Sequence, residues 1–186
     1  MTTPGTETLK IFTLTCASPD LAKRLPRVLS LSNTVFNADH TSKYASLRLW
    51  ETRLSAPAAR IVYFAPVLTP DHPVAFLFAH PRIHTQPLSN GVSESLHIWL
   101  AGVLPEYRRT GALARMVSAL CSDGDPTHTG VRFLTVCTTP AVFPDMWTWL
   151  KRRGWQHERD LGDGKVLMSL KQEVASNHLA ACPPMH

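Results

Sequence analysis

The sequence predicts an α/β (α+β) fold with a mixed, mostly antiparallel central sheet flanked by helices. Short apolar runs rich in Val, Ile, Tyr and Phe predict strands, and apolar residues at three- and four-residue steps predict amphipathic helices between them. The chain has 186 residues, 44% of them hydrophobic, which is enough for one domain with a substantial core. We expect a single domain over residues 1–170 and a flexible or loosely docked tail over 171–186, and we expect the removal of residues 175–186 to be tolerated.

The first part of the chain predicts one strand and two helices. Apolar and polar residues alternate over residues 10–16, as in a strand with one apolar face. Asp20 offers an N-cap for a helix that Pro26 would either delay or kink. A second helix follows Thr41, with its apolar positions at Tyr44, Leu47, Trp50 and Leu54.

Three strands are predicted next. Residues 61–68 and 74–79 predict an antiparallel pair joined by a loop. After a polar loop over residues 84–91, two sets of residues alternate along a further strand. We expect one set to face a core and the other to face something else. The first set is Leu96, Ile98 and Leu100, and the second is Ser95, His97 and Trp99.

Residues 104–116 form the most informative stretch of the chain. They follow an apolar strand over residues 98–103 and lead into an amphipathic helix with apolar positions at Leu113, Met116, Val117 and Leu120. The start of a helix carries unpartnered N–H groups and roughly half a positive charge, so an anion can bind there. Gly111 lacks the Cβ that would keep a phosphate away from the backbone.

The remaining chain predicts a strand, a helix and a strand pair. Residues 131–137 are nearly all apolar and suit a central strand. A helix is expected from Thr139, although Pro144 leaves room for a later start. It ends at Gly154 and buries Phe143, Trp147 and Leu150. Two last strands flank a turn at residues 162–164, and the second carries Val166, Met168 and Leu170 on one face.

Composition argues against several classes of function. The formal net charge of +5 favours anionic partners in general, but the chain lacks a basic and aromatic pattern, so we expect no nucleic-acid binding. We expect no membrane span, because no apolar run is long enough, and a cytoplasmic location, because a signal peptide is lacking. Neither the four cysteines nor His80 and His84, which Pro81 separates, have metal-ligand spacing, so we expect no metal.

The predicted order of elements resembles that of the GNAT superfamily of N-acetyltransferases. Residues 103–111 are similar to the family's acetyl-CoA loop, of form V-x-P-x-x-R-x-x-G-x-G/A, and residues 147–155 to its helix that ends in a basic residue, glycine and an aromatic residue. The resemblance implies an acetyl-CoA-dependent N-acyltransferase, in which a primary amine attacks the thioester directly. A catalytically weakened CoA-binding regulatory or interaction module of the same fold is the alternative.

The resemblance also implies roles for particular residues. Strand amides near Ala101 and Val103 would hold the pantetheine of acetyl-CoA. The N–H groups of the loop would bind its pyrophosphate, with Arg108 supplying positive charge. These N–H groups belong to Arg109, Thr110, Gly111, Ala112 and Leu113.

A protonated amine must lose a proton before it attacks, so a base is useful. His97 is the first candidate, because it lies on the strand that enters the loop and opposite the apolar set. Glu94 is the second, acting through a water molecule. The equally weighted alternative is that His97 is only a hydrogen-bonded, half-buried residue.

The chain departs from the family pattern at two positions. Leu113 replaces a small residue and would weaken or tilt CoA binding. Leu150 replaces a tyrosine that protonates the leaving thiolate in many members, and water, Tyr107 or Cys137 could substitute. Losing a general acid costs about 10² to 10⁴ in rate, and a thiol of pKa about 8.5 leaves readily. We therefore expect slower transfer, not its loss.

The acceptor is left open by the sequence. We expect the early helices, including residues 44–50, and the loop over residues 84–91 to flank it, although Tyr44 and Trp50 have the spacing of core residues. No acidic cluster marks a polyamine or lysine-tail site. A small-molecule amine, an amino-acid derivative and a protein amino group all fit, as do a monomer and a homodimer.

Overall fold

The computed structural model describes residues 8–38, 43–122 and 133–171. Within these ranges the chain forms seven strands and four α-helices, and short 3₁₀ turns precede the second and third helices. In chain order the elements are β1 (Leu9–Leu14), α1 (Leu21–Phe36), α2 (Leu47–Leu54), β2 (Arg60–Pro66), β3 (Ala75–Ile83), β4 (Glu94–Val103), α3 (Ala112–Ser122), β5 (Phe133–Thr138), α4 (Pro144–Arg152), β6 (Gln156–Asp160) and β7 (Val166–Lys171). The predicted tail, apart from Lys171 in β7, lies outside the described residues.

The seven strands form one sheet in the order β1-β2-β3-β4-β5-β7-β6. Neighbouring strands are antiparallel except for β4 and β5, which run parallel. Helices α1 and α2 pack on one face of the sheet, and α3 and α4 pack on the other, each pair with its own hydrophobic cluster. The predicted mixed, mostly antiparallel sheet flanked by helices is therefore confirmed.

Helix boundaries differ from prediction in ways that matter for the site. Helix α1 begins at Leu21 and contains Pro26, so it does not start late. Ser46 caps α2, accepting a hydrogen bond from the Leu49 N–H, so Tyr44 falls in the preceding 3₁₀ turn and is 40% exposed. Because α4 begins at Pro144, Phe143 likewise falls outside the helix and is 47% exposed. The expectation that Phe143 is buried is wrong for this reason.

A bulge in β4 changes which residues share a face. Phe78 of β3 lies opposite Leu100, and Ala79 lies opposite Ile98, so Trp99 is an extra residue in β4. Ile98 packs with the cluster under α3 and α4, whereas Leu100 packs with the cluster under α1 and α2. The predicted shared face of Ile98 and Leu100 is wrong, because one inserted residue reverses the alternation.

Candidate active site

Strands β4 and β5 separate part of the way along their length. They pair only over Leu96–Ile98 and Leu134–Val136, although β4 continues to Val103. A cavity of about 730 Å³ opens where they part. Its walls come from the end of α1, Tyr44, the middle of β4, the end of β5, the start of α4 and the turn between β6 and β7. Residues 99–103 thus have no partner strand on the β5 side within the described residues.

The unpaired part of β4 contains both strand positions predicted to bind pantetheine. Ala101 lines the cavity, and Val103 ends the strand two residues further on. Both side chains pack against the cluster under α3 and α4. Because β5 pairs with β4 only as far as Ile98, the backbone edge of both residues is available on the side from which β5 has diverged.

The loop between β4 and α3 has the backbone geometry of an anion site. Arg109 and Gly111 both have left-handed backbone angles, with φ of 65° and 79°. Within the described residues, the N–H groups of residues 109–113 have no hydrogen-bond acceptor. A Cβ at Gly111 would meet no atom within 4 Å, so the space in front of this backbone is open. These donors fit a pyrophosphate.

The side chains of the loop leave that space clear. Leu113, the departure from the family pattern, packs against the core cluster under α3. Its side chain is therefore directed into the protein interior. The Thr110 hydroxyl donates to the Tyr107 carbonyl at 2.7 Å, and Arg108 Nε donates to the Val103 carbonyl at 3.2 Å. The Arg108 contact ties the loop back to the strand that leads into it.

His97 lines the cavity and is only 5% exposed. Its Nε2 atom lies 3.3 Å from Arg82 Nη1, and its Nδ1 atom lies 3.0 Å from Thr135 Oγ1. An arginine can only donate a hydrogen bond, so Nε2 accepts and the ring proton resides on Nδ1. In this arrangement His97 is neutral and donates to Thr135.

A chain of hydrogen bonds continues from His97 across the sheet. Thr135 Oγ1 lies 2.7 Å from Ser95 Oγ, which lies 2.7 Å from His84 Nε2. Since Thr135 accepts from His97, its own proton points to Ser95, and the Ser95 proton points to His84. All four side chains are buried. The chain is therefore a continuous polar path between two imidazoles.

The histidines around this path have lowered pKa values. Burial, followed by the charge of Arg82, holds the pKa of His97 well below its usual value. Burial also lowers the pKa of His80, whose Nδ1 lies 2.9 Å from the Pro81 carbonyl oxygen. Burial and then Arg82 lower the pKa of His84. All three side chains are consequently held in their neutral forms at neutral pH.

The two predicted base candidates lie in different surroundings. Glu94 is exposed at the first position of β4, opposite Ile83, and does not line the cavity. His97 lies three residues further along the strand and does line it. The structure therefore brings His97, but not Glu94, to the point where β4 and β5 part.

The positions considered for the group that protonates the leaving thiolate also lie in different surroundings. Leu150 is 2% exposed and belongs to the core cluster under α3 and α4, so this position offers only a hydrocarbon side chain. Cys137 lines the cavity, with its Sγ atom 3.5 Å from Arg82 Nη1. Tyr107 packs against the core cluster and does not line the cavity.

Two arginines beside the cavity were missed by the sequence analysis. Arg82 contacts His97 and Cys137, which both line the cavity. Arg53 Nη1 lies 2.7 Å from His80 Nε2, and its guanidinium carbon lies 4.3 Å from the ring centre of Trp99. The only sequence signal was the polar set of alternating residues on β4, which did not show what lay opposite on β3.

Two further properties concern the described residues only. No group of three or more His, Cys, Asp or Glu side chains in these ranges could hold a metal ion. None of the helices there is both long enough and apolar enough to cross a membrane.

The fold is that of the GNAT N-acetyltransferases, which confirms the predicted resemblance. The aminoglycoside N-acetyltransferase AAC(6')-Iy, solved in complex with CoA, superposes with a TM-score of 0.65 at 17% identity, over 86% of this chain and 95% of that one. An acetyltransferase from Thermus thermophilus gives 0.60 at 18% identity, over 88% and 97%.

A third similar structure comes from a plant. Arabidopsis thaliana NAA60, solved in complex with acetyl-CoA, gives a TM-score of 0.61 at 12% identity, over 88% of this chain and 98% of that one. No family model matches the chain, and the comparison with curated proteins found no match. The similarity therefore lies in the fold, while the sequences have diverged widely.

Proposed function

We propose that the protein is an acetyl-CoA-dependent N-acyltransferase that transfers an acetyl group to a primary amine. One observation carries the proposal: the unpaired edge of β4 runs from a cavity that His97 lines to a loop whose N–H groups are open to an anion. Structurally similar proteins solved with CoA or acetyl-CoA support the same cosubstrate.

The chain's own residues account for binding. Bound acetyl-CoA would supply an acetyl group already activated as a thioester. The free edge of β4 near Ala101 and Val103 can pair with the amides of pantetheine as a further strand would. The N–H groups of Arg109 to Leu113 and the charge of Arg108 can hold the pyrophosphate. These contacts fix the position of the reacting carbon relative to the cavity.

Transfer requires removal of protons from the acceptor nitrogen and delivery of one proton to the sulfur. The ammonium first loses one proton to become an amine that can attack. As the nitrogen bonds to the acetyl carbon and the carbon–sulfur bond breaks, the nitrogen loses a second proton and the sulfur gains one, so one proton is released to solvent overall. We assign the removal of the first proton to His97, with Glu94 through water as the second candidate. For the proton that the sulfur gains, Cys137 and water are favoured over Tyr107, because Cys137 lines the cavity and Tyr107 does not.

A CoA-binding regulatory or interaction module is the second candidate function. Two observations favour it: Leu150 buries a hydrocarbon where an acid is common, and Arg82 occupies the lone pair of His97. Both features reduce proton transfer without touching the CoA loop. In this case the protein would bind acetyl-CoA and transfer nothing.

Calorimetry with acetyl-CoA, followed by release of free thiol with a panel of amines, separates the two. Binding with thiol release on an amine supports the acyltransferase. Binding without release on any amine supports the module, and no binding overturns both. Three further expectations remain predictions: a cytoplasmic location, the absence of nucleic-acid and membrane partners, and a monomeric or homodimeric state. Localisation experiments can check the first, and size-exclusion chromatography can check the last.

A further inference from the structure

We propose that the acceptor is an amine that also carries a carboxylate close to its reacting nitrogen, as an α-amino acid does. This inference rests on the proposed acyltransferase activity and names the substrate class of the same cavity. It comes from the charges that surround His97, which are positive and, in the part of the chain that the structure describes, form no ion pair with a carboxylate.

Arg53 and Arg82 are the central observation. Within the described residues, neither guanidinium forms an ion pair with a carboxylate. Each instead donates to an imidazole, His80 for Arg53 and His97 for Arg82. The two cations are close enough that Arg82 contributes to lowering the Arg53 pKa, after the larger effect of burial. Partly buried cations without an anion are unfavourable. Neither arginine lines the cavity itself, but Arg82 contacts His97 and Cys137, which do, so an anionic ligand that reaches Arg82 between these two side chains would be stabilised.

Among the described residues, the cavity lining supplies no compensating negative charge. None of the described residues that line it is an aspartate or a glutamate, and Lys165 adds a cation at the turn between β6 and β7. The carboxylate of Glu158, on β6, accepts hydrogen bonds from the Ser89 N–H and from the Ser89 and Ser169 hydroxyls. A polycationic acceptor would therefore meet repulsion that a zwitterionic acceptor would not.

The spacing of the groups sets the size of the acceptor. His97 Nε2 and Arg82 Nη1 are 3.3 Å apart, so an amine beside His97 has a guanidinium within a few bonds of it. An α-amino acid places its carboxylate at such a short separation from its nitrogen. The aromatic rings of Tyr44, Trp99 and Phe143 in the cavity wall can cover an apolar side chain.

A carboxylate would also change the state of His97. Arginine pairs with a carboxylate through two parallel hydrogen bonds, which are stronger than its bond to a neutral imidazole. A carboxylate that attracts Arg82 would free the Nε2 lone pair of His97 for the proton of the amine. The carboxylate of the acceptor would thus make His97 available as a base for the amine of the same molecule.

The test uses matched acceptors with the full-length chain. Free-thiol release from acetyl-CoA is measured with glycine, leucine and phenylalanine, each as the free acid and as the amide, and with spermidine. We expect the acids to be used at least about tenfold better than their amides, the loss expected for one charge-assisted hydrogen bond. The α-amino group of an amino-acid amide is less basic than that of the free acid, so a larger fraction of it is unprotonated and able to attack. Intrinsic reactivity therefore favours the amides and works against the expected result.

Equal or better use of the amides or of spermidine overturns the inference and leaves the acyltransferase standing. If acetyl-CoA binds but none of the amines on the panel releases free thiol, the acyltransferase and the inference are both overturned. Arg82→Gln should reduce the preference for acids about tenfold, and Arg53→Gln should act in the same direction. Arg152→Gln is the matched control, because Arg152 is exposed at the last position of α4 and does not line the cavity. Melting temperatures confirm that each variant folds, and an unchanged preference in a folded Arg82→Gln contradicts the proposal.

Discussion

Arg82 Nη1 lies 3.3 Å from His97 Nε2, and the two residues belong to neighbouring strands of the sheet. The guanidinium donates to the one ring nitrogen of His97 that carries a lone pair, while the other ring nitrogen donates to Thr135. His97 is therefore neutral, and its one available lone pair already accepts a hydrogen bond from Arg82. An acceptor amine can pass its proton to His97 only if this contact opens.

Replacing His97 tests its assignment as the base. His97→Ala should lower turnover about tenfold or more, because general bases typically contribute about 10² to 10⁴ in rate. The affinity for acetyl-CoA should change little, since the CoA loop lies at the other end of the unpaired edge. Steady-state rates and calorimetry measure the two effects separately.

The control for that experiment is His72→Ala, which removes an exposed imidazole outside the cavity lining. It should leave turnover unchanged. If folded His97→Ala turns over at the rate of the unaltered protein, His97 is a structural residue and the base lies elsewhere.

Stability should decrease in mild acid. Burial lowers the pKa of His80, His84 and His97 in the folded protein, whereas the unfolded chain binds protons near a pKa of about 6.5. Below that pH the unfolded state binds more protons, so the free energy of unfolding falls as pH falls. Each histidine contributes up to about 1.4 kcal/mol per pH unit in this window.

Urea denaturation between about pH 7.5 and about pH 5, a range that brackets the ordinary histidine pKa, would measure this loss. His97→Gln removes one of the three titrating groups and should make the dependence on pH less steep, while His72→Gln should not. A free energy of unfolding that stays constant over this range would contradict the neutral, buried state of these histidines.

The order of the elements was predictable because each one carries its own periodicity in a short segment. The apolar steps of α3 and the apolar runs of β2 and β3 need no knowledge of neighbours. The bulge at Trp99 could not be predicted, because it depends on how β4 aligns with β3. That alignment also decides that Leu100 faces the α1 and α2 side.

The site was predictable only in part for the same reason. The proposed CoA loop is contiguous in sequence, so its glycine, charge and helix start could all be seen together, although its binding of CoA stays a prediction. The surroundings of His97 come from three strands: Arg82 from β3, Ser95 from β4 and Thr135 from β5. No spacing within one segment shows that they meet, so neither the occupied lone pair nor the arginine cluster was foreseen.

Removing the Thr135 hydroxyl should destabilise the protein. Thr135 is fully buried and bonds to both Ser95 and His97. Thr135→Val therefore leaves the buried Nδ1–H of His97 without an acceptor and leaves Ser95 with only its hydrogen bond to His84. We expect a loss of about 1–3 kcal/mol in the free energy of unfolding. Thr52→Val, at an exposed position of α2, should change it by less than about 0.5 kcal/mol. Equal effects in urea denaturation would show that the hydrogen-bond path does not stabilise the fold.

The CoA loop is tested most directly at Gly111. Its φ of 79° is unfavourable for any side chain, while the space in front of it is open, so Gly111→Glu adds both backbone strain and a negative charge beside the free N–H groups. Acetyl-CoA binding by calorimetry should be abolished. Gly91→Glu is the matched control, because Gly91 has a φ of 82° and equally open space, and it should bind normally. Retained affinity in a folded Gly111→Glu variant would mean that the phosphates bind elsewhere.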